Sequence, residues 1–168
     1  MDIEANKALV RRYVELWNTA NLALADEVLA ADFVDYAHPE FTPGPESVKQ
    51  AVMDFRTSFP DAQVTIEHLL CEGDMVAFRS VIRGTHRALF AGLPPTGRQV
   101  IFRGTDFIHI ADGKLIELWN CQQTLEFVLQ LGAKLSFPEE ASHDPEQTFG
   151  TKGLKSQEAD KRRPPEVH

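Results

Sequence analysis

Asp106, Asn120 and Gln122 are the residues of this sequence most suited to chemistry. Asp106 stands in a run of alternating residues, 100–110, in phase with Phe102 and Ile108. Asn120 and Gln122 stand in a second such run, 115–123, in phase with Leu118. A carboxylate on an apolar strand face costs free energy unless it is paired or hydrogen-bonded. Desolvation raises its pKa toward the range useful to a general acid or base. The plainer alternative is a structural aspartate bonded to a backbone amide or an arginine. With Asp106 as acid or base, Asn120 and Gln122 are its orienting or oxyanion-stabilising partners. His86 ends another alternating run, in phase with Phe78, Ser80 and Ile82, and could bring a second titrating group to the same cavity. Tyr13 on the first helix could donate its hydroxyl to an oxyanion. Catalytic roles are thus expected for Asp106, Asn120 and His86. Substrate contacts are expected for Gln122, Tyr13, Tyr36, Phe102 and Leu118. Trp17 and Trp119 are expected in the core, and Arg79 and Arg83 outside.

Other searches return nothing. Asp35 and His38 flank Tyr36 near the expected mouth, but Asp-x-x-His is too common a spacing to imply a metal. There is no P-loop, dinucleotide glycine fingerprint, HExxH or nucleophile elbow. No cofactor is implied.

These residues need elements to position them. Val10, Tyr13, Val14 and Trp17 make one stripe of a helix over about 3–18. A short helix is predicted over 22–30 with Leu24, Val28 and Leu29 inward, then a short strand at 33–36. Pro45 suits the first position of a third helix, with Val48, Ala51, Val52, Phe55 and Phe59 on its apolar face and Pro60 closing it. The period then changes to two. Strands are predicted from 64, over 75–86, over 100–110 and over 115–123, and a last helix over 124–131. Helices followed by antiparallel strands favour α+β over alternating βαβ.

The hairpin around Ala111-Asp112-Gly113 sets what faces Asp106. A two-residue turn would put Asp106 opposite Trp119. A three-residue loop with Gly113 left-handed pairs Ile110 with Lys114 and puts Asp106 opposite Leu118. The second register groups Val100, Phe102, Ile108, Ile116 and Leu118 on one face and Arg103, His109 and Glu117 on the other, and is preferred.

Composition bounds the partners. The chain has 168 residues and a formal charge of −8. An acidic surface argues against nucleic acid or anionic membrane as the main partner. No apolar run is long enough to span a bilayer. The start, Met1-Asp2-Ile3-Glu4, lacks a signal peptide's basic end and apolar core. Two cysteines without metal spacing suit a reducing, cytoplasmic location. Residues 135–168 hold four of the ten prolines and only scattered apolar residues. Such a segment cannot offset its ordering entropy, so residues 1–134 are read as the working domain and 135–168 as a disordered or loosely draped extension.

Several motifs fall together in order. Gly84-Thr85-His86 precedes Phe90-x-Gly92-x-Pro94-Pro95-Thr96-Gly97-Arg98, then Asp112-Gly113-Lys114, Glu117-x-Trp119-Asn120 and Leu129-x-x-Leu131-Gly132. Upstream lie Tyr13 to Asn18, Asp32-Phe33-Val34-Asp35 and Gly44-Pro45-Glu46-x-Val48-Lys49. Over residues 4–132 the chain closely resembles the SnoaL-like polyketide cyclases of the nuclear-transport-factor-2-like superfamily. The resemblance implies a cone-shaped α+β fold, a curved antiparallel sheet enclosing a pocket with three N-terminal helices, and a homodimer through the sheet. It also implies aldol ring closure without cofactor or metal, with an aspartate after the last-strand tryptophan as acid/base. This chain has Asn120 there, and an amide does not titrate at neutral pH. The role would pass to Asp106.

The expected function is a cofactor-independent cyclase or isomerase acting on a small, largely apolar polyketide-like carbonyl substrate. The alternative is a non-catalytic small-molecule-binding or dimerisation domain, which the missing acid at 120 favours. An epoxide hydrolase would need an Asp-Arg-Asp set, which Asp106 and Arg103, pointing to opposite faces of a regular strand, do not offer.

Overall fold

A computed structural model describes residues 2–136. Beyond residues 135 and 136, the expected extension lies outside the described residues. Helix α1 (Ile3–Thr19) starts where the Asp2 side chain accepts the backbone N–H groups of Glu4 and Ala5, and ends where Ala20 turns left-handed at φ 53°. Its stripe buries Val10, Tyr13 and Val14, joined by Leu16. Helix α2 (Ala23–Val28) is shorter than its pattern suggests, because Leu29, though buried, already belongs to strand β1 (Leu29–Asp35). Helix α3 (Pro45–Ser58) has proline in its first turn and buries Val48 and Val52. Gly44 before it has φ 104°, and a Cβ there would meet the Ala31 carbonyl oxygen at 2.7 Å. Only glycine lets this loop lie against β1.

Strands β2 (Gln63–Glu72), β3 (Met75–Thr85), β4 (Gln99–Ala111) and β5 (Lys114–Gln122) form an antiparallel meander, followed by α4 (Thr124–Gln130). Strand β1 joins the far edge parallel to β5, giving the order β1-β5-β4-β3-β2. The sheet is curved and not closed. Its inner face packs on α1 and α2 through Val76, Phe78, Ile108, Ile110, Leu115 and Leu118. A second cluster, around Phe59, Val100, Phe102 and Phe127, sits towards α4. Full burial of each such side chain contributes roughly 1.5–3 kcal/mol.

The β4–β5 hairpin follows neither expected register. Asp112 (φ 49°) and Gly113 (φ 71°) form a two-residue turn that pairs Ala111 with Lys114. Ile110 then pairs with Leu115 but His109 with Glu117, so Ile116 is an extra residue, a β-bulge. The bulge reverses the facing of β5. Leu115 is buried before it, Ile116 is only partly buried, and Leu118 is buried after it. Asp106 comes to lie directly opposite Asn120. His109 and Glu117 both lie on the outer face as expected, and there His109 Nδ1 meets Glu117 Oε2 at 2.8 Å. Trp119, expected in the core, is 38% exposed on that outer face. Arg79 is outside as expected, paired with Glu67 at 3.3 Å.

At the start of β2, one side chain of α1 takes both backbone groups of Val64. Asn18, in the last turn of α1, accepts the Val64 N–H at 2.7 Å and donates to the Val64 carbonyl at 3.0 Å. Asn18→Ala leaves both part-buried groups without these partners and is expected to destabilise by about 1–3 kcal/mol in urea unfolding. An unchanged midpoint would mean that water replaces both bonds at no cost.

Candidate active site

The inner sheet face, α1 and α3 line a cavity of about 680 Å³, to which α4 and the Phe90–Ala91 loop also contribute. That size suits a small organic molecule. Aromatic rings supply much of the wall: Trp17 from α1, Phe55 from α3, Phe78 from β3, Phe102 from β4, and Phe90 and Phe127. Two ladder rungs form the polar floor. One runs Phe78–Asp106–Asn120 across β3, β4 and β5, and the next runs Ser80–Gly104–Gln122. Gly104 leaves room above the amides, since a Cβ there would contact the Gln122 side chain at 3.4 Å and Asn120 Nδ2 at 3.5 Å.

Asp106 is 8% exposed, and Asn120 Nδ2 donates to its Oδ1 at 2.6 Å. Burial pushes the carboxyl up to about 6; the Asn120 bond opposes the shift and the nearby Asp35 charge adds to it. A group with that pKa is mostly a carboxylate at neutral pH, yet basic enough to take a proton from carbon. Tyr13 reaches the same cavity from α1. Its burial, with Asp35 and Asp106 nearby, drives its pKa far above the usual phenol value, so it stays neutral and keeps a hydroxyl proton to donate.

Of the residues singled out in the sequence, the cavity lining brings together Asp106, Asn120, Gln122, Tyr13, Phe102 and Leu118. His86 and Tyr36 are not among them. His86 is fully buried, as its phase suggests, but in the second cluster, stacked on Phe59 at 5.3 Å. The strand ends at Thr85, which Asp61 holds at 2.7 and 2.6 Å, and the His86 backbone pairs with Arg98 and Gly97 instead. Extending the strand's phase by one residue therefore misplaces the ring. Tyr36 is turned to the outer face, stacked on Trp119 at 5.1 Å, with its hydroxyl donating to Glu117 at 3.0 Å.

The lining also holds residues that the sequence reading left aside. Asp35 and His38, set apart there as a weak metal spacing, both line the cavity, with Nδ1 and Oδ2 2.9 Å apart. Ser80 was visible in the alternation of β3. Gln50 and Asp54, one helical turn apart on α3 and bonded at 2.9 Å, line the cavity as well.

The raised Asp106 pKa makes its ionisation unfavourable in the fold. Below the ordinary carboxyl value of 3.8 the penalty is absent; it grows as pH rises and is complete above about 6. Asp106→Asn keeps an oxygen able to accept from Asn120. It is expected to match wild-type stability near pH 4 and to exceed it by up to about 3 kcal/mol near pH 8, read from thermal or urea unfolding. Equal stabilities at both pH values would mean that Asp106 ionises as freely as in water.

The family and the relatives agree with this architecture. The SnoaL-like polyketide cyclase family model matches residues 7–131. The chain is 30% identical over 139 residues to the aklanonic acid methyl ester cyclase DnrD of Streptomyces peucetius, covering 78% of this chain and 93% of that protein. It is 29% identical over 136 residues to the aklanonic acid methyl ester cyclase DauD of Streptomyces sp. strain C5, covering 78% and 84%. Among solved structures, TsrD from Streptomyces laurentii superposes with a TM-score of 0.76 at 23% identity, over 80% of this chain and 99% of that one. IdmH from Streptomyces antibioticus superposes at 0.66 with 28% identity, over 76% and 99%. The fold is that of the nuclear-transport-factor-2-like superfamily, and the chain belongs to the SnoaL-like polyketide cyclase family.

Proposed function

We propose that this chain is a cofactor-independent cyclase, or an isomerase of the same enolate chemistry, acting on a small, largely apolar polyketide-like carbonyl compound. The observation that carries the reading is Asp106: a carboxyl at about 6, with one hydrogen-bond partner, on the floor of an aromatic-walled cavity. Two curated relatives that are aklanonic acid methyl ester cyclases support the same class.

In this reading the Asp106 carboxylate removes a proton from a carbon next to a carbonyl. The electron pair moves onto oxygen, and the enolate carbon attacks a second carbonyl in the same molecule. Asn120 fixes the carboxylate. The Gln122 amide and the Tyr13 hydroxyl donate towards the developing oxyanion, while Phe102 and Leu118 hold the apolar body. A positioned base contributes roughly 10²–10⁴-fold. One oxyanion donor adds about 3 kcal/mol. An intramolecular attack gains much of the rest from proximity. An epoxide hydrolase is disfavoured, because the described lining offers carboxylates but no arginine.

The competing reading is a non-catalytic binding domain. It rests on Asn120, which binds Asp106 but cannot titrate. The two readings separate on aklanonic acid methyl ester used as a probe. Ring closure by the wild type, falling roughly 10²–10⁴-fold in the better-folded Asp106→Asn, is expected for the cyclase. Binding without closure would leave the non-catalytic domain.

The partner we propose besides the substrate is a second copy of the chain. Across the outer sheet face Leu70, Ala77, Phe107 and Trp119 stand in one row of mutual registers, and Tyr36 stacks on Trp119 at its end. Leu70 is 69% and Phe107 49% exposed, and an apolar row of this kind is normally covered. Phe107→Asp is expected to convert a dimer to a monomer in sedimentation equilibrium; a wild type that sediments as a monomer would remove this partner. The free thiols of Cys71 and Cys121 suit a reducing compartment such as the cytoplasm. Among the described residues no helix is long and apolar enough to cross a membrane.

A further inference from the structure

The described cavity lining contains four carboxylates, Asp35, Glu40, Asp54 and Asp106, and neither lysine nor arginine. Ring closure through an enolate leaves a negative oxygen at the carbonyl that was attacked. Repulsion from those carboxylates makes that oxygen costly until it receives a proton. Asp106 is engaged elsewhere, having just taken the carbon-bound proton. Among the lining residues the only side chain able to carry a positive charge is His38.

His38 is held as a proton donor would need to be. Asp35 ends β1, paired in register with Leu118 of β5, so its carboxyl belongs to the same wall as Asn120 two residues further along. That carboxyl is buried, at 8% side-chain exposure. Its Oδ1 accepts the Ala37 backbone N–H at 2.9 Å, which fixes the carboxylate plane. Its Oδ2 takes His38 Nδ1 at 2.9 Å. Phe41 stacks on the ring at 4.8 Å and 15°. With Nδ1 committed to Asp35, Nε2 is the ring atom left to act. The imidazole, 40% exposed at the cavity mouth, can exchange protons with water.

We propose that His38, oriented by Asp35, is the general acid of this site and delivers the proton that the substrate oxygen receives on ring closure. The assignment rests on the cyclase reading above. Asp106 takes a proton from carbon, the enolate carbon bonds to the carbonyl carbon, and the carbonyl π pair becomes an alkoxide lone pair. The Nε2 proton passes to that alkoxide and leaves a neutral imidazole. Water then carries the proton from the Asp106 carboxylic acid back to His38. The chain begins and ends in the same protonation state, and no oxidant or reductant takes part.

The pH consequences are specific. His38 faces Asp35 from β1 and Glu40 in its own loop; Asp54 from α3, Asp106 from β4 and the neutral Tyr13 from α1 share the cavity. The Asp35 bond, reinforced by the charges of Asp35 and Glu40 and opposed by partial burial, raises the imidazole above its ordinary 6.5. Asp106 works as a base above about 6, so both groups hold the right proton between the two values.

The test is the pH–rate profile for ring closure of aklanonic acid methyl ester by the full chain. A bell is expected in the wild type. In His38→Gln the alkaline limb should vanish and kcat fall roughly 10²–10³-fold, with KM little changed. In Asp35→Asn the alkaline limb should move to lower pH, in step with the His38 imidazole followed by NMR titration. A wild type that closes no ring would overturn the cyclase reading and this assignment with it. A ring-closing wild type whose His38→Gln keeps the rate and the alkaline limb would overturn the assignment alone, as would a His38 titration indifferent to Asp35→Asn.

Discussion

The bond from Asn120 to Asp106 is the contact around which the site is organised. A carboxylate on an apolar sheet face needs a partner, and too good a partner would abolish its basicity. An arginine or several amide donors would return the group to ordinary acidity. One amide at 2.6 Å tethers it while burial keeps its pKa near 6. The asparagine that looks like a lost catalytic acid in the sequence is, in the fold, the hydrogen-bond donor to the neighbouring acid.

That contact depends on strand geometry more than on side-chain choice. β5 must present Leu118, Asn120 and Gln122 inward while its start, fixed by the Asp112-Gly113 turn, presents Leu115 inward. The two demands differ by one residue, and Ile116 absorbs the difference. β1, added parallel at the edge beside β5, then brings Asp35 onto the same wall. The cavity thus acquires carboxyl groups from two strands that are far apart in sequence and separated by one strand in space.

Much of this was legible beforehand. Alternation along 100–110 placed Phe102, Asp106 and Ile108 on one face, and the 3–4 spacing in α1 placed Tyr13 inward, because burial periodicity survives wherever an element is regular. What escaped were irregularities. An isoleucine in an alternating strand reads as core, so the bulge at Ile116 was invisible and the register was displaced. His86 inherited the phase of a strand that had already ended. Trp119 and Tyr36 read as interior or pocket residues because large aromatics usually are, although here they stack on each other outside. Asp35 and His38 were noticed but weighed only as metal ligands. Their proximity to the cavity follows from the parallel β1–β5 pairing, which no local pattern announces.

The bulge bears on how this chain can vary. On β5 the cavity wall and the outer apolar row occupy alternate positions of one short segment, Leu118-Trp119-Asn120. Position 116, with no partner on β4, keeps the two faces apart by staying out of the ladder and not by its chemical type. Exchange of Ile116 for another side chain would leave the ladder intact, and its deletion would leave Leu115 opposite Ile110 and Glu117 opposite His109 in plain alternation, whereas drawing Ile116 into the ladder as a paired residue would carry Trp119 into the cavity and Asn120 out to the surface. Drift at this site should thus be permissive of spelling and even of the residue's loss, and intolerant only of a hairpin that pairs every residue.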